Sequence, residues 1–257
     1  MTTEKEIVQT RQRQLRGALL ILKKNALLYY LKPPVLIFGV LFPVFFFLAF
    51  KMGRPVSVES IVPGMVAMAL WFTASAVGPL VTPWERRAKT YERLVSAPLS
   101  LRTILAGDVI SGFVFGSFLS IVPILLGFLL TDVSIVNIPL LIFGIMLSAL
   151  TFASLGVLLA APPASTPSNI MLLSNLVRLP LLFVSGIFLP INQMPPWAKW
   201  VAPLSPLSYA NAIIRFSFGD EATYFSPGFS VIMLFLFVCI FFLASCKFHN
   251  LWRAKGL

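Results

Sequence analysis

Charge is what this sequence has least of: 11% of its 257 residues are Asp, Glu, Lys or Arg, and only nine are acidic. Soluble domains carry about 25% charged residues. A hydrophobic fraction of 58% and a mean hydropathy of +0.91 instead mark a membrane protein. Reactive side chains are equally sparse. The two cysteines, Cys239 and Cys246, stand seven residues apart in an apolar run, about 10 Å along one helical face, too far to pair within one chain. With His249 the sole histidine, there is no metal-ligand spacing, and the usual nucleophile constellations lack their base. No GxxxxGK[ST] loop is present to cradle phosphates. These absences argue against catalysis, a metal or a cofactor on this chain, and any ATP chemistry must come from a partner.

Long uncharged runs are what the sequence does have. Since a helix needs about 20 apolar residues to cross a bilayer, the chain is counted in spans, with no room for a large soluble domain. Runs at 33–50, 61–84 and 109–131, each fenced by charge, read as the first three. From 133 to 177 there is no charge, yet "APPASTPSN" at 161–169 gathers residues that break a buried helix. The run therefore divides into a fourth span at about 136–160 and a fifth at about 169–189. The sixth covers about 228–246. The expectation is an all-α membrane protein of six transmembrane helices, with an arm at 1–32, a membrane domain at 33–246 and a tail at 247–257.

Lysine and arginine in short flanking loops set orientation during insertion. With the N-terminus inside, the arm carries seven, the 85–108 loop five and the tail three, against only Lys51, Arg54, Lys199 and Arg215 outside. This predicts a multi-pass protein of the cytoplasmic membrane with both termini cytoplasmic. It also accounts for the net charge of +11 without a nucleic-acid partner. No small-residue cleavage site follows the first span, so the N-terminal segment is expected to be retained. In that segment Leu15, Leu19, Leu22, Ala26 and Tyr29 fall on one side of a helical wheel, with Arg13 and Lys24 opposite. Such an amphipathic helix lies along the inner membrane surface.

The segment "PWERRAKTYERLVSAPLSLRTILAGD" at 83–108 packs eight charged residues between two oily runs. It reads as a short cytoplasmic helix over 85–96, stopped by Pro98. Tyr91, Leu94 and Val95, with Ala88 one turn earlier, make an apolar stripe beside the basic row Arg86, Lys89 and Arg93. A helix of this kind either lies on anionic lipid or inserts its stripe into a groove on another protein.

Two residue sets resemble a known family. "ERRAKTYERLVSAPLS" is similar to the cytoplasmic motif of ABC-2 type permeases, roughly E-R-E-x-G-T-L-E-x-L-x-x-T-P-L-S, with Glu85, Arg86, Thr90, Glu92, Leu94, Pro98, Leu99 and Ser100 matching. Arg87 stands where that pattern has an acid, Lys89 where it has glycine and Ala97 where it has threonine. Downstream, "VSGIFLPINQMPPWAKWVAPLSPLSYANAIIR" at 184–215 resembles the family's SG-x-F-x-P, MP-x-W and P-L-x-Y series through Ser185, Gly186, Pro190, Pro195, Trp197, Pro206 and Tyr209. The resemblance implies a permease subunit that dimerises, here as a homodimer, and binds two copies of a separate ABC ATPase carrying ATP and Mg. It also implies export, with the helix containing Glu85, Arg86, Thr90, Tyr91, Glu92, Leu94, Val95 and Pro98 as the ATPase-coupling helix.

The downstream motif also has a reading of its own. Trp197, Trp200, Val201 and Leu204 recur at helical spacing after Pro196, and Pro203 and Pro206 interrupt them before a second short helix. The expectation is a pair of broken extracellular helices between the fifth and sixth spans. They serve either as an outer gate or as an aromatic anchor at the headgroups. Arg178 lies nine residues into the fifth span, where exposure to lipid would cost about 2.5 to 3.5 kcal/mol. It must face protein or water, as a packing residue or on the translocation route. Gly112 and Gly116, followed by Ser117 and Ser120, would let another helix approach closely.

Three function classes fit to different degrees. A secondary carrier would need ion-coupling carboxylates, yet all nine acids fall outside the predicted spans. A membrane enzyme or scaffold finds no polar constellation. An exporter of drug, antibiotic or lipid-like cargo leads, with polysaccharide or glycolipid export as the alternative within the family.

Overall fold

The computed structural model describes residues 4–29, 61–130, 133–163 and 166–254 and isolated positions between 33 and 49. The first predicted span thus lies outside the described residues, as do Lys51 and Arg54 and the side chains at 29, 92 and 95. Among the described residues all regular structure is helical: α1 (Glu4–Tyr29), α2 (Ile61–Ala74), α3 (Val77–Arg87), α4 (Thr90–Ser96), α5 (Leu101–Leu119), α6 (Ile121–Leu130), α7 (Ile138–Leu159), α8 (Pro167–Phe183), α9 (Pro196–Val201), α10 (Pro206–Ser217) and α11 (Pro227–Ala254).

Proline decides where the long helices break. A proline ring inside a helix lacks the N–H and collides with the carbonyl four residues earlier. Pro79 does this to Ser75, and the second span gives way at 75–76 before resuming as α3. Pro123 does the same to Leu119, where α5 ends and α6 takes over. Asn137 caps α7 by accepting from the Leu140 N–H (3.0 Å). The split inside the long uncharged run holds, with α7 ending at Leu159 and α8 starting at Pro167.

Four segments are long and apolar enough to cross a membrane: Ile61–Arg87, Leu101–Leu130, Ile138–Leu159 and Pro227–Trp252. Two of them reach well beyond the sequence reading. The third span begins at Leu101 rather than 109, and the sixth runs on to Ala254, so that most of the expected tail is helix. Charge fences placed those boundaries, but a charged residue ends a span only if nothing in the protein pairs with it. α8, in the stretch read as the fifth span, is not one of these four; it ends at Phe183, shortly before Gly186 turns the chain with φ +83°.

The second span lies at the centre. Every residue of α2 from Val62 to Ala74 is buried, with the Trp71 ring edge-on to Phe152 of α7 at 4.8 Å between centroids. α2 packs on α5, α7 and α10. Close approach is permitted by missing side chains: a Cβ on Gly112 would stand 2.6 Å from the Ala74 carbonyl oxygen, and one on Gly156 would collide with that of Ser75. The GxxxG pair therefore serves packing within the chain. The two short helices of the link differ: Leu207, Tyr209, Ala210, Ile213 and Ile214 of α10 are buried in the same core as α2, whereas Trp197 and Trp200 of α9, and Leu204 after it, are exposed.

Gly156→Ala is expected to lower the thermal unfolding midpoint of the purified protein, at a cost of about 1–3 kcal/mol for overpacking. Gly228→Ala, where a Cβ meets nothing within 4 Å, should not. Equal midpoints would contradict the close packing at the break.

Candidate functional site

At one end of the bundle the charged segment is built from two helices rather than one. Glu85 and Arg86 belong to α3, the last turns of the broken second span, and α4 begins only at Thr90. Lys89 makes the joint with φ +54°, the one non-glycine residue in the left-handed region among the described residues. The family pattern has glycine at this position, and the backbone shows why: the left-handed conformation presses Cβ against the following carbonyl. Thr90 Oγ1 donates to the Glu85 carbonyl (3.3 Å) across the joint.

Arg86 ties the joint to the rest of the fold. Its guanidinium donates to the carbonyls of Pro162 (3.3 Å) and Ala161 (3.5 Å) in the α7–α8 link and lies over the Tyr91 ring, 5.3 Å from its centroid. Burial pushes the Tyr91 phenol up, with Arg86 opposing. Tyr91 and Leu94 are half-buried, while Lys89, Arg93 and Pro98 are exposed. The predicted stripe is thus divided: Ala88 lies outside α4 and Tyr91 is held by Arg86, leaving Leu94 beside the exposed Arg93.

Residues that the sequence reading passed over hold this end together. Lys24 of α1 pairs with Glu85, and Asn25 donates to Asp108 (2.8 Å) and Ser111 (3.1 Å) of α5. Gln14 accepts from the Ser100 N–H (3.1 Å), beside the α5 cap. Glu85 and Asp108 are buried at 5% and 2% exposure inside apolar helical segments, so the expectation that every acid lies outside the spans is corrected for these two. A partner for each carboxylate made burial affordable where the sequence showed only a fence. The signal was the series Gln14, Ala18, Ile21 and Asn25, one residue out of step with the leucines. That face packs on α5, while Leu15 and Leu19 stay exposed at 67% and 60%.

Arg178 of α8 is buried. Its Nη1 donates to Ser75 Oγ (3.2 Å), its Nη2 to Asn175 Oδ1 (2.8 Å) and its Nε to the Ser174 carbonyl (3.4 Å). The guanidinium lies 5.7 Å from the Phe72 centroid, and Trp71 Nε1 donates to the Arg178 carbonyl (3.3 Å). The arginine packs against the 75–76 break of its own chain.

At the opposite end, where the Val136 and Asn137 amides donate to the Ser217 carbonyl, the downstream motif forms a cleft of about 270 Å³. Ser185, Gly186 and Pro190 line it with Asn211, Arg215 and Asp220. Tyr209 donates to the Pro203 carbonyl (3.0 Å) and stacks on Phe225 at 4.6 Å, behind the cleft. Pro195, Trp197, Trp200 and Pro206 shape the α9–α10 corner without lining it.

A model of the ABC-2 type transporter family matches residues 17–218, spanning both ends. The chain belongs to that family. It is 27% identical over 185 residues to the inner membrane transport permease YadH of Escherichia coli K12, covering 69% of this chain and 70% of that one. It is 33% identical over 147 residues to the putative transport permease ycf38 of Pyropia yezoensis, covering 54% and 48%. The probable multidrug ABC transporter permease YbhR of E. coli K12 shares 22% over 156 residues, covering 60% and 42%. This ABC-2 permease is therefore a multi-pass membrane subunit of a transporter, of a family that pairs with an ABC ATPase.

A left-handed residue with a side chain costs roughly 1–2 kcal/mol, partly offset by the backbone entropy that glycine loses on folding. Lys89→Gly is accordingly expected to stabilise the permease by about 1 kcal/mol, and Lys89→Val to destabilise it, in thermal unfolding of the purified protein. A loss of stability with glycine would overturn the assignment of strain to this joint.

Proposed function

We propose that this chain is the membrane half of an ATP-driven exporter. Two copies of it pair with two copies of a separate ABC ATPase and move a hydrophobic or amphipathic substrate out of the cytoplasm or the inner leaflet. ATP and Mg belong to the ATPase, the α4 end faces the cytoplasm with both termini, and the α9–α10 end is the release side. The observation that carries this reading is the attachment of α4. It hangs from the broken second span through Lys89, its Tyr91 lies under Arg86 of α3, and it leads into the α5 cap at Ser100, which Gln14 of α1 meets. α4 is thus set between the end of the second span and the start of α5, beside the Arg86 guanidinium that bonds the α7–α8 link, which is the position a coupling helix requires.

A secondary carrier fits less well. The two buried carboxylates, Glu85 and Asp108, sit together at the α4 end and are held by Lys24 and Asn25, with no acid chain running toward the cleft. Drug, antibiotic and lipid-like molecules are the leading cargo. Polysaccharide or glycolipid export is the second reading within the family.

The test is whether the purified permease retains a P-loop ATPase from its own membranes, identified by mass spectrometry. Leu94→Asp is expected to abolish retention, because a carboxylate would have to enter the docking groove; Arg178→Gln, far from α4, should keep it. No ATPase on the unsubstituted chain, or equal retention by Leu94→Asp, would count against α4 as the coupling helix.

A further inference from the structure

One strip of α5 is left uncovered by the helices on either side of it. On one flank α5 packs on α1, where Gly107 sits against Ile21 and the Thr103 hydroxyl donates to Gln14 Oε1. On the other it packs on α11, through Leu101, Leu105 and Val109 against Phe242 and Cys246. Between these seams Arg102, Ala106 and Ile110 follow one another at i, i+4 spacing, which keeps them on one face. They line a groove of about 520 Å³ between α1, α5 and α11. From Arg102 to Ile110 it runs about 12 Å along α5.

The two ends of the groove differ. At one, Arg102 is exposed and has no acid partner among the described residues. Beside it Gln14 Oε1 already accepts from the Ser100 N–H and the Thr103 hydroxyl, so what Gln14 still offers is its NH2 group. Among the described residues no acid lines the groove. The other end is formed by Ile110 and Phe242, and between the ends Ala18 and Ala106 leave a width that larger side chains would fill. The rims are apolar and open, with Leu15 67% and Leu243 68% exposed. In a chain set in a bilayer such rims meet acyl chains, so the groove opens sideways to lipid. Its occupant is an anion at one end and hydrocarbon along the rest. Arginine suits phosphate, because its planar fork of N–H groups matches two phosphate oxygens, and basic pockets between transmembrane helices bind phospholipid headgroups. A headgroup that also carries an ammonium would bring a second cation to a mouth that has no acid to receive it. A protein partner arriving from water would have to reach past the exposed leucines into lipid to fill the apolar end.

We propose that this groove binds one phospholipid of net negative charge, with its phosphate on Arg102 and an acyl chain over Ala106 against Ile110 and Phe242. The cytoplasmic placement of the α4 end decides only which leaflet supplies the lipid; the binding needs neither an ATPase nor a direction of transport. Native mass spectrometry of the full chain, released from a neutral detergent with dioleoyl phosphatidylglycerol or dioleoyl phosphatidylcholine added at equal concentration, counts bound lipids and copies of the chain together. Phosphatidylglycerol is expected to bind the tightest site roughly fivefold more strongly, as one basic residue facing anionic lipid is worth. Arg102→Gln should remove most of that preference, and Ala106→Phe should weaken both lipids. Lys23→Gln, which removes an exposed cation on the side of α1 opposite Gln14, should leave the preference intact. Equal binding of the two lipids overturns the proposal. So does an equal loss in Arg102→Gln and Lys23→Gln, which would mark a diffuse basic surface. If Ala106→Phe turns dimers into monomers with lipid binding unchanged, a second copy covers the groove and the lipid assignment falls. Arg102 is exposed, so its replacement tests the site even where Ala106→Phe fails to fold. Because no ATPase takes part, failure here would leave the export reading standing, just as failed ATPase retention would leave lipid binding standing.

Discussion

The break at 75–76 is the contact on which the bundle depends. In a bilayer, helices gain little from hydrophobic burial against one another and rely on close packing and on polar groups that find partners. A proline-broken helix is poorly suited to both, because it widens locally and releases a carbonyl. Here the widening is met by missing side chains, Gly112 and Gly116 on α5 and Gly156 on α7, each of which would collide with 74–75 if it carried a Cβ. Beside the break the Ser75 hydroxyl accepts from the Arg178 guanidinium, which also lies against Phe72. The close packing at one break thus accounts for three glycine positions and gives the arginine a partner inside the protein.

The same requirement for partners explains the α4 end. Isolated buried carboxylates are expensive, yet Glu85 and Asp108 lie inside apolar helices. Lys24 and Asn25 offset that cost, and both stand on α1. The amphipathic arm is therefore part of the membrane domain as well as a surface float. Its small and polar face is turned to protein and its leucines outward, the reverse of the arrangement in a water-soluble bundle. Removing α1 would leave two carboxylates without partners next to the joint that carries α4.

Much of this was legible in the sequence, and the exceptions share a cause. Membrane class, the division at 161–169, the burial of Arg178 and the two family motifs follow from composition, proline clusters and residue spacing. The start of the third span does not, because charge was treated as a boundary, and a pairwise bond such as Asn25 to Asp108, across 83 residues of sequence, cancels a boundary without leaving a local trace. The division of the coupling segment at Lys89 had a local trace, the family's glycine, whose meaning is backbone geometry and which emerges only as φ +54°. The insertion of α10 was hidden because its buried face, Leu207, Ala210 and Ile214, reads equally well as an interfacial helix. Periodicity reports that a helix has an apolar face, not what covers that face.

The two functional ends are joined by a single element. α4 hangs from α3, α3 meets α2 at the break, and α2 packs along α10, which carries Asn211 and Arg215 into the cleft. α2 is buried throughout and cannot shift without its neighbours. A displacement of α4 therefore has two outlets: it bends the chain at 75–76, where the helical ladder is already interrupted, or it carries α2 and with it the cleft. Arg178 bears on which outlet is open, because its bond to the Ser75 hydroxyl ties α8 to the place where the chain would bend.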